Sequence, residues 1–104
     1  MQVKMDSKSI PGTTIIGLSG KLDTLSADDF SETVYEIFEN GGFNTLRFDC
    51  KDLDYVSSAG LRVFLSAKKT ADGRNLSVEL CNLSQSILEI FEVTGFNSIF
   101  TILK

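Results

Sequence analysis

Histidine is absent from all 104 residues, and that absence removes more chemistry than any other. A Ser-His-Asp triad is excluded outright. A metal site has little to build from, because the two cysteines, Cys50 and Cys81, match no zinc spacing. No Walker-type glycine–lysine loop occurs, and Gly41-Gly42 reads as a helix stop. Cofactors and metals are therefore not expected. Basic residues are also in short supply, 10 against 14 acidic ones, for a net charge of −4. That balance argues against non-specific nucleic-acid binding, which runs on basic patches. No apolar run approaches the ~20 residues of a membrane helix. The opening Met1-Gln2-Val3-Lys4-Met5-Asp6 lacks the apolar stretch of a signal peptide, so cytoplasmic residence is expected, with both cysteines as reduced core thiols. Repeats, linkers and low-complexity tracts are lacking too.

What remains is ordinary globular material, 42% hydrophobic and 23% charged, and residues 1–104 are expected to form one domain. Residues 2–6 predict a short strand, Ser9-Ile10-Pro11-Gly12 a turn, and Thr13–Ser19 a second strand closed by Gly20, together a hairpin. Lys21–Leu25 reads as a loop. Ser26 with Asp29 resembles a capping box for a first helix whose inner face is Phe30, Val34, Ile37 and Phe38. Asp28, Asp29, Glu32, Glu36 and Glu39 form an acidic row on that helix, read as a solvated face, and Asn40-Gly41-Gly42 ends it. A third strand is expected over 44–50, a second helix to about residue 71, and a fourth strand over Leu76–Cys81. A third helix follows, capped by Ser84 and stopped by Gly95, with Ile87, Leu88, Ile90, Phe91 and Val93 as its apolar content; Ile99–Leu103 is a short last strand or an irregular ending.

In the third strand Leu46, Phe48 and Cys50 alternate with Thr45, Arg47 and Asp49. In the fourth, Leu76, Val78 and Leu80 alternate with Ser77, Glu79 and Cys81. A sheet covered on both faces shows continuous apolar runs instead. The fold class is thus α/β, a two-layer mixed β-sheet with helices mainly on one face, and its crossovers are right-handed.

Between the third strand and the second helix lies Asp52-Leu53-Asp54-Tyr55-Val56-Ser57-Ser58-Ala59-Gly60-Leu61-Arg62. A serine at a strand-to-helix junction can cap the helix by accepting from an orphan N–H. The same N–H groups and the positive end of the helix dipole also suit a phosphate. A serine hydroxyl needs a base to react, and Lys51, Lys68 and Lys69 offer only a conceivable serine–lysine pair, the last two being two to three helical turns away. Any reaction at this hydroxyl calls for a base, nucleotide and Mg²⁺ brought by another protein.

Asp52–Val63 resembles the signature of STAS-domain anti-sigma factor antagonists, the phosphorylatable partner-switching proteins of bacteria. The resemblance extends to Gly20-Lys21-Leu22-Asp23 and to Phe91-Glu92-Val93-Thr94-Gly95-Phe96, in the same order. It implies the STAS fold and a phosphoacceptor two residues before the loop glycine, which is Ser58, with Ser57 as the alternative. Many members carry Asp where this chain has Ser57, and Ser or Thr where it has Ala59. The resemblance places Asp23 beside the acceptor loop and makes Gly20, Thr24, Asp54, Tyr55, Val56, Ser57, Ala59, Gly60 and Leu61 the surrounding partner-binding surface. It implies as partners an anti-sigma factor that is also a serine kinase, and a serine phosphatase, with binding abolished by phosphorylation.

Three other readings compete. One is a STAS subunit of a non-sigma signalling or transport complex. A second, from Asp49, Asp52 and Asp54, is a phospho-aspartate receiver, although neither of the first two strands ends in the acidic pair that a receiver needs. The third is a small serine hydrolase using Ser58, against which the missing base counts.

Overall fold

The computed structural model describes residues 2–5 and 10–103. The chain runs β1 (Gln2–Met5), β2 (Thr13–Leu22), α1 (Thr24–Asn40), β3 (Thr45–Val56), α2 (Ser58–Gly73), β4 (Ser77–Cys81), α3 (Gln85–Thr94), a 3₁₀ turn (Phe96–Ser98) and β5 (Thr101–Leu103). The five strands form one sheet in sequence order, β1 antiparallel to β2 and the others parallel. Each β-α-β step moves one place in the same direction across the sheet. With right-handed crossovers, that sends every helix to the same face.

Burial along the strands agrees with this. Ile16, Leu18, Leu46, Phe48, Cys50, Val78 and Leu80 face the helices and are buried, while the alternate residues are only partly covered. The mixed sheet with one helix layer bears out the fold class. It also excludes the receiver architecture, whose strands run 2-1-3-4-5 with helices on both faces. No helix among the described residues is long and apolar enough to cross a membrane.

The core is built around phenylalanine. Phe64 of α2 meets Phe30 of α1 at 5.4 Å, Phe48 of β3 at 5.3 Å, Phe91 of α3 at 6.0 Å and Phe100 at 6.5 Å, all edge-on. Edge-to-face rings set the negative face of one against the positive rim of the next, so these contacts are directional as well as apolar. α1 contributes Ala27 besides the four expected positions. α3 buries only Ile87 and Phe91; Val93, counted with its apolar content, is 88% exposed because it lies on the helix's outer side.

Several boundaries differ from expectation. Asp6 and Ser9 lie outside the described residues; Ile10 to Thr13 does form the turn, with Thr13 N–H donating to Ile10 O at 2.9 Å and Gly12 at φ 79°. Gly20 does not close β2. It sits inside the strand at φ 87°, where only glycine is unstrained, and the strand continues to Leu22. β3 does not stop at Cys50 but runs to Val56. The parallel pairing passes from Gly17↔Asp49 to Ser19↔Asp52, then from Gly20↔Leu53 to Lys21↔Tyr55. At each shift β3 spends one residue more than β2. Each such bulge breaks the two-residue alternation, which is why the sequence pattern reads as a loop.

Cys50 faces the helices and Cys81 the open side, and both are free. Burial pushes the Cys50 thiol up to about 12, with smaller contributions from Cys81 and Asp49. Burial, then Asp49, also raises Cys81. A raised thiol pKa means fewer thiolates at a given pH, and the thiolate is the nucleophile. In the native protein at pH 8.5 Cys50 is therefore expected to resist iodoacetamide while Cys81 reacts slowly; in urea both react. Fast native labelling of Cys50, read by mass spectrometry, would contradict the buried placement.

Candidate functional site

The two parallel strands β2 and β3 end side by side, and each hands over to a helix through a single residue. For β2 that residue is Asp23, for β3 it is Ser57. The final pairs of the ladder, Lys21↔Tyr55 and Leu22↔Val56, bring the junctions together, and Ser57 N–H donates to Leu22 O at 2.8 Å. Two helix N-termini therefore open on one edge of the molecule. Their dipoles make it favourable to negative charge.

Each junction residue caps its own helix. Asp23 Oδ1 accepts from Leu25 N–H at 3.0 Å and Ser26 N–H at 3.2 Å, and Asp23 N–H donates back to Ser26 Oγ at 3.1 Å. This reciprocal arrangement is the capping box, and it corrects the expected one. The box begins at Asp23 with Ser26 in its third position, and Lys21–Leu25 is not a loop. The helix starts earlier because an aspartate at the strand end satisfies two orphan donors at once.

At the second junction Ser57 Oγ accepts from Gly60 N–H at 3.2 Å, so this hydroxyl is committed to the cap. Ser58 is the first helical residue and is exposed, and among the described residues its side chain makes no hydrogen bond. The adjacent serines, equivalent in pattern, thus occupy different physical positions. Ser57→Ala is expected to lower stability by about 1 kcal/mol through the lost cap, and Ser58→Ala by much less. Paired urea melts check this; equal losses would contradict the assignment of the cap.

At Gly60, α2 packs directly against the end of β2. A Cβ there would lie 2.6 Å from Leu22 Cγ and 3.0 Å from Leu22 O. Leu22 is fully buried, so it has no room to retreat. The short loop thus depends on a residue without a side chain.

Of the residues expected to surround the acceptor, Thr24, Asp54 and Ser58 are exposed, Tyr55 is 46% exposed, and Gly20, Asp23, Ser57 and Ala59 are partly covered. Val56, Gly60 and Leu61 are buried. These three cannot offer surface to a partner. Val56 and Leu61 point into the core because the strand's last inward position and the helix's first inward position both fall on the apolar side. Leu25, absent from the sequence expectation, is 90% exposed one residue into α1. No sequence signal set it apart from the inward-facing leucines. Among the described residues no group of three or more His, Cys, Asp or Glu is placed to hold a metal ion.

The STAS domain model matches residues 4–104. The anti-sigma-B factor antagonist of Bacillus subtilis is 30% identical over 102 residues, covering 98% of this chain and 92% of that protein. The anti-sigma-B factor antagonist of Listeria monocytogenes is 31% identical over 87 residues, covering 84% and 75%. Among solved structures, the unphosphorylated anti-sigma factor antagonist SpoIIAA superposes with a TM-score of 0.81 at 16% identity, covering 99% of this chain and 89% of that one. An anti-sigma factor antagonist from Mycobacterium paratuberculosis gives 0.83 at 14% identity, covering 97% and 85%. At those identities the structural likeness speaks for the fold alone, whereas the family model and the sequence relatives span the strand ends and the serine junction. The chain belongs to the STAS-domain anti-sigma factor antagonist family.

Proposed function

We propose that this protein is the switchable member of a bacterial partner-switching pathway, a regulatory binding module and not an enzyme. Unphosphorylated, it binds an anti-sigma factor that doubles as a serine kinase, and so frees a sigma factor. Phosphorylated on Ser58, it lets go, and a serine phosphatase restores it. The observation that carries this reading is the difference between two neighbouring hydroxyls. Ser57 is spent on the helix cap, while Ser58 is exposed and uncommitted at the same helix end. The names of the sequence relatives point to the same class of partner.

The chemistry is supplied by the kinase. Ser58 Oγ attacks the γ-phosphorus of ATP, the bond from that phosphorus to the bridging oxygen breaks, and ADP leaves. The hydroxyl proton passes to the kinase's base. The product adds about −1.5 to −2 charges at neutral pH. Those charges sit at the start of α2, where the N–H groups of Ser58 and Ala59 have no intrahelical acceptor. The fold therefore tolerates the phosphate. Release comes from bulk and charge inserted into an interface already bordered by Asp23 and Asp54. A cost of about 3 kcal/mol lowers affinity roughly a hundredfold.

Incubation with the cognate kinase and ATP, followed by mass spectrometry, tests the acceptor. Wild type and Ser57→Ala take one phosphate and Ser58→Ala takes none; full modification of Ser58→Ala overturns the assignment. Calorimetric titration of the anti-sigma factor tests the switch. Ser58→Asp is expected to bind at least a hundredfold more weakly while keeping a dispersed amide spectrum. An unfolded phosphoprotein would make release a folding effect and sink the local mechanism.

A further inference from the structure

β1 is one edge of the sheet, and its Val3 packs against the core beside α1. A groove is left between the edge strand and the flank of α1. Two hollows run along it and share Val3 and Thr33. The deeper one, about 300 Å³, is bounded by Val3, Thr14, Ile37 and Phe43. The other, about 700 Å³ and more open, continues past Phe30 to the exposed Leu25 and Lys21. Among the described residues nothing pairs with the outer edge of β1. Such an edge presents unpaired backbone N–H and C=O groups beside an apolar trough.

We infer that this groove takes an extended segment of a partner protein, which pairs with β1 as a sixth strand. Its alternate side chains are apolar, and it carries at least one Lys or Arg. Addition of a strand to a free edge gains main-chain hydrogen bonds, while pockets for every second side chain supply selectivity. The deeper hollow is the pocket for one apolar side chain. The charge follows from the wall opposite β1. Asp29 and Glu36 both line the groove, both are exposed, and neither forms an ion pair among the described residues. Seven residues along a helix separate them by about 10 Å, the reach of about three strand residues. Among the described residues Lys21 at the far end is the one base in the lining, against Asp23, Asp29 and Glu36, so acidic side chains outnumber basic ones there.

The open hollow reaches Asp23 at the α1 cap, but β1 lies two strands from β3, and the inference does not rest on the phosphorylation reading. A random octapeptide library displayed on phage, selected on the folded 104-residue protein, tests it. The expected winners alternate apolar residues and carry Lys or Arg. The strongest, made as a synthetic peptide, shifts the amide signals of residues 2–5 and of residues 33–40. Asp29→Arg with Glu36→Arg lowers its affinity at least tenfold at an unchanged melting temperature, and N-methylation of alternate peptide amides abolishes binding. Ser58→Asp leaves it unaltered. Failure to enrich any peptide, enrichment without alternation, shifts confined to residues 57–61, or indifference to the charge reversal would each overturn the inference.

Discussion

Phe64→Ala is expected to cost about 3–5 kcal/mol. Phe64 has no exposed surface, and four rings from α1, β3, α3 and the approach to β5 converge on it. Removing the ring deletes its transfer free energy and leaves a hole that several elements line at once. None of them can close it without moving against its own neighbours, so relaxation is limited. Domains of this size are stable by about 5–15 kcal/mol, so the variant is expected to sit near its unfolding threshold. Urea denaturation gives the number, and a loss below about 1 kcal/mol would mean that the ring cluster does not hold the helices to the sheet. Because α2 also carries Ser58, native-state hydrogen exchange in this variant is expected to quicken first along α2.

Gly60→Ala sets two effects of opposite sign against each other. Gly60 is helical, and helix propensity alone makes alanine better by about 1 kcal/mol. The added methyl would stand 2.6 Å from Leu22 Cγ and 3.0 Å from the Leu22 carbonyl oxygen. One neighbour is a fully buried side chain and the other is backbone, and overpacking of that kind costs about 1–3 kcal/mol. The steric effect is expected to win, giving net destabilisation, with Gly60→Val worse. The displacement also strains the bond from Ser57 N–H to Leu22 O, moving Ser58 relative to Asp23. Partner affinity is therefore expected to fall by more than stability alone explains, measured at a temperature where the variant is fully folded. A Gly60→Ala protein more stable than wild type would show that Leu22 yields and that the close approach is no constraint.

The helices were legible because their signal is local. Phe30, Val34, Ile37 and Phe38 mark the inner face of α1 without reference to anything else, and Gly95 ends α3 in the left-handed conformation that glycine permits, at φ 78°. The strands were legible only where the alternation is unbroken. From Lys51 onward β3 carries residues that β2 does not match one for one, so its pattern dissolves although its pairing continues. The capping box was placed too late for a related reason. Ser26 has the chemistry of a cap, and only the end of β2 decides that Asp23 takes that position and Ser26 the reciprocal one.

By itself, the sequence determined the absence of histidine chemistry, the one-sided helix layer and a serine pair at a strand-to-helix junction. Each of these follows from composition or from short-range periodicity, which a chain carries before it folds. The tertiary structure alone decided which serine caps and which stands free, and that Val56 and Leu61 belong to the interior. It also left the outer edge of β1 without a paired strand among the described residues. These are questions of which strand ends meet and which surfaces are already occupied, settled by contacts between residues far apart in the chain.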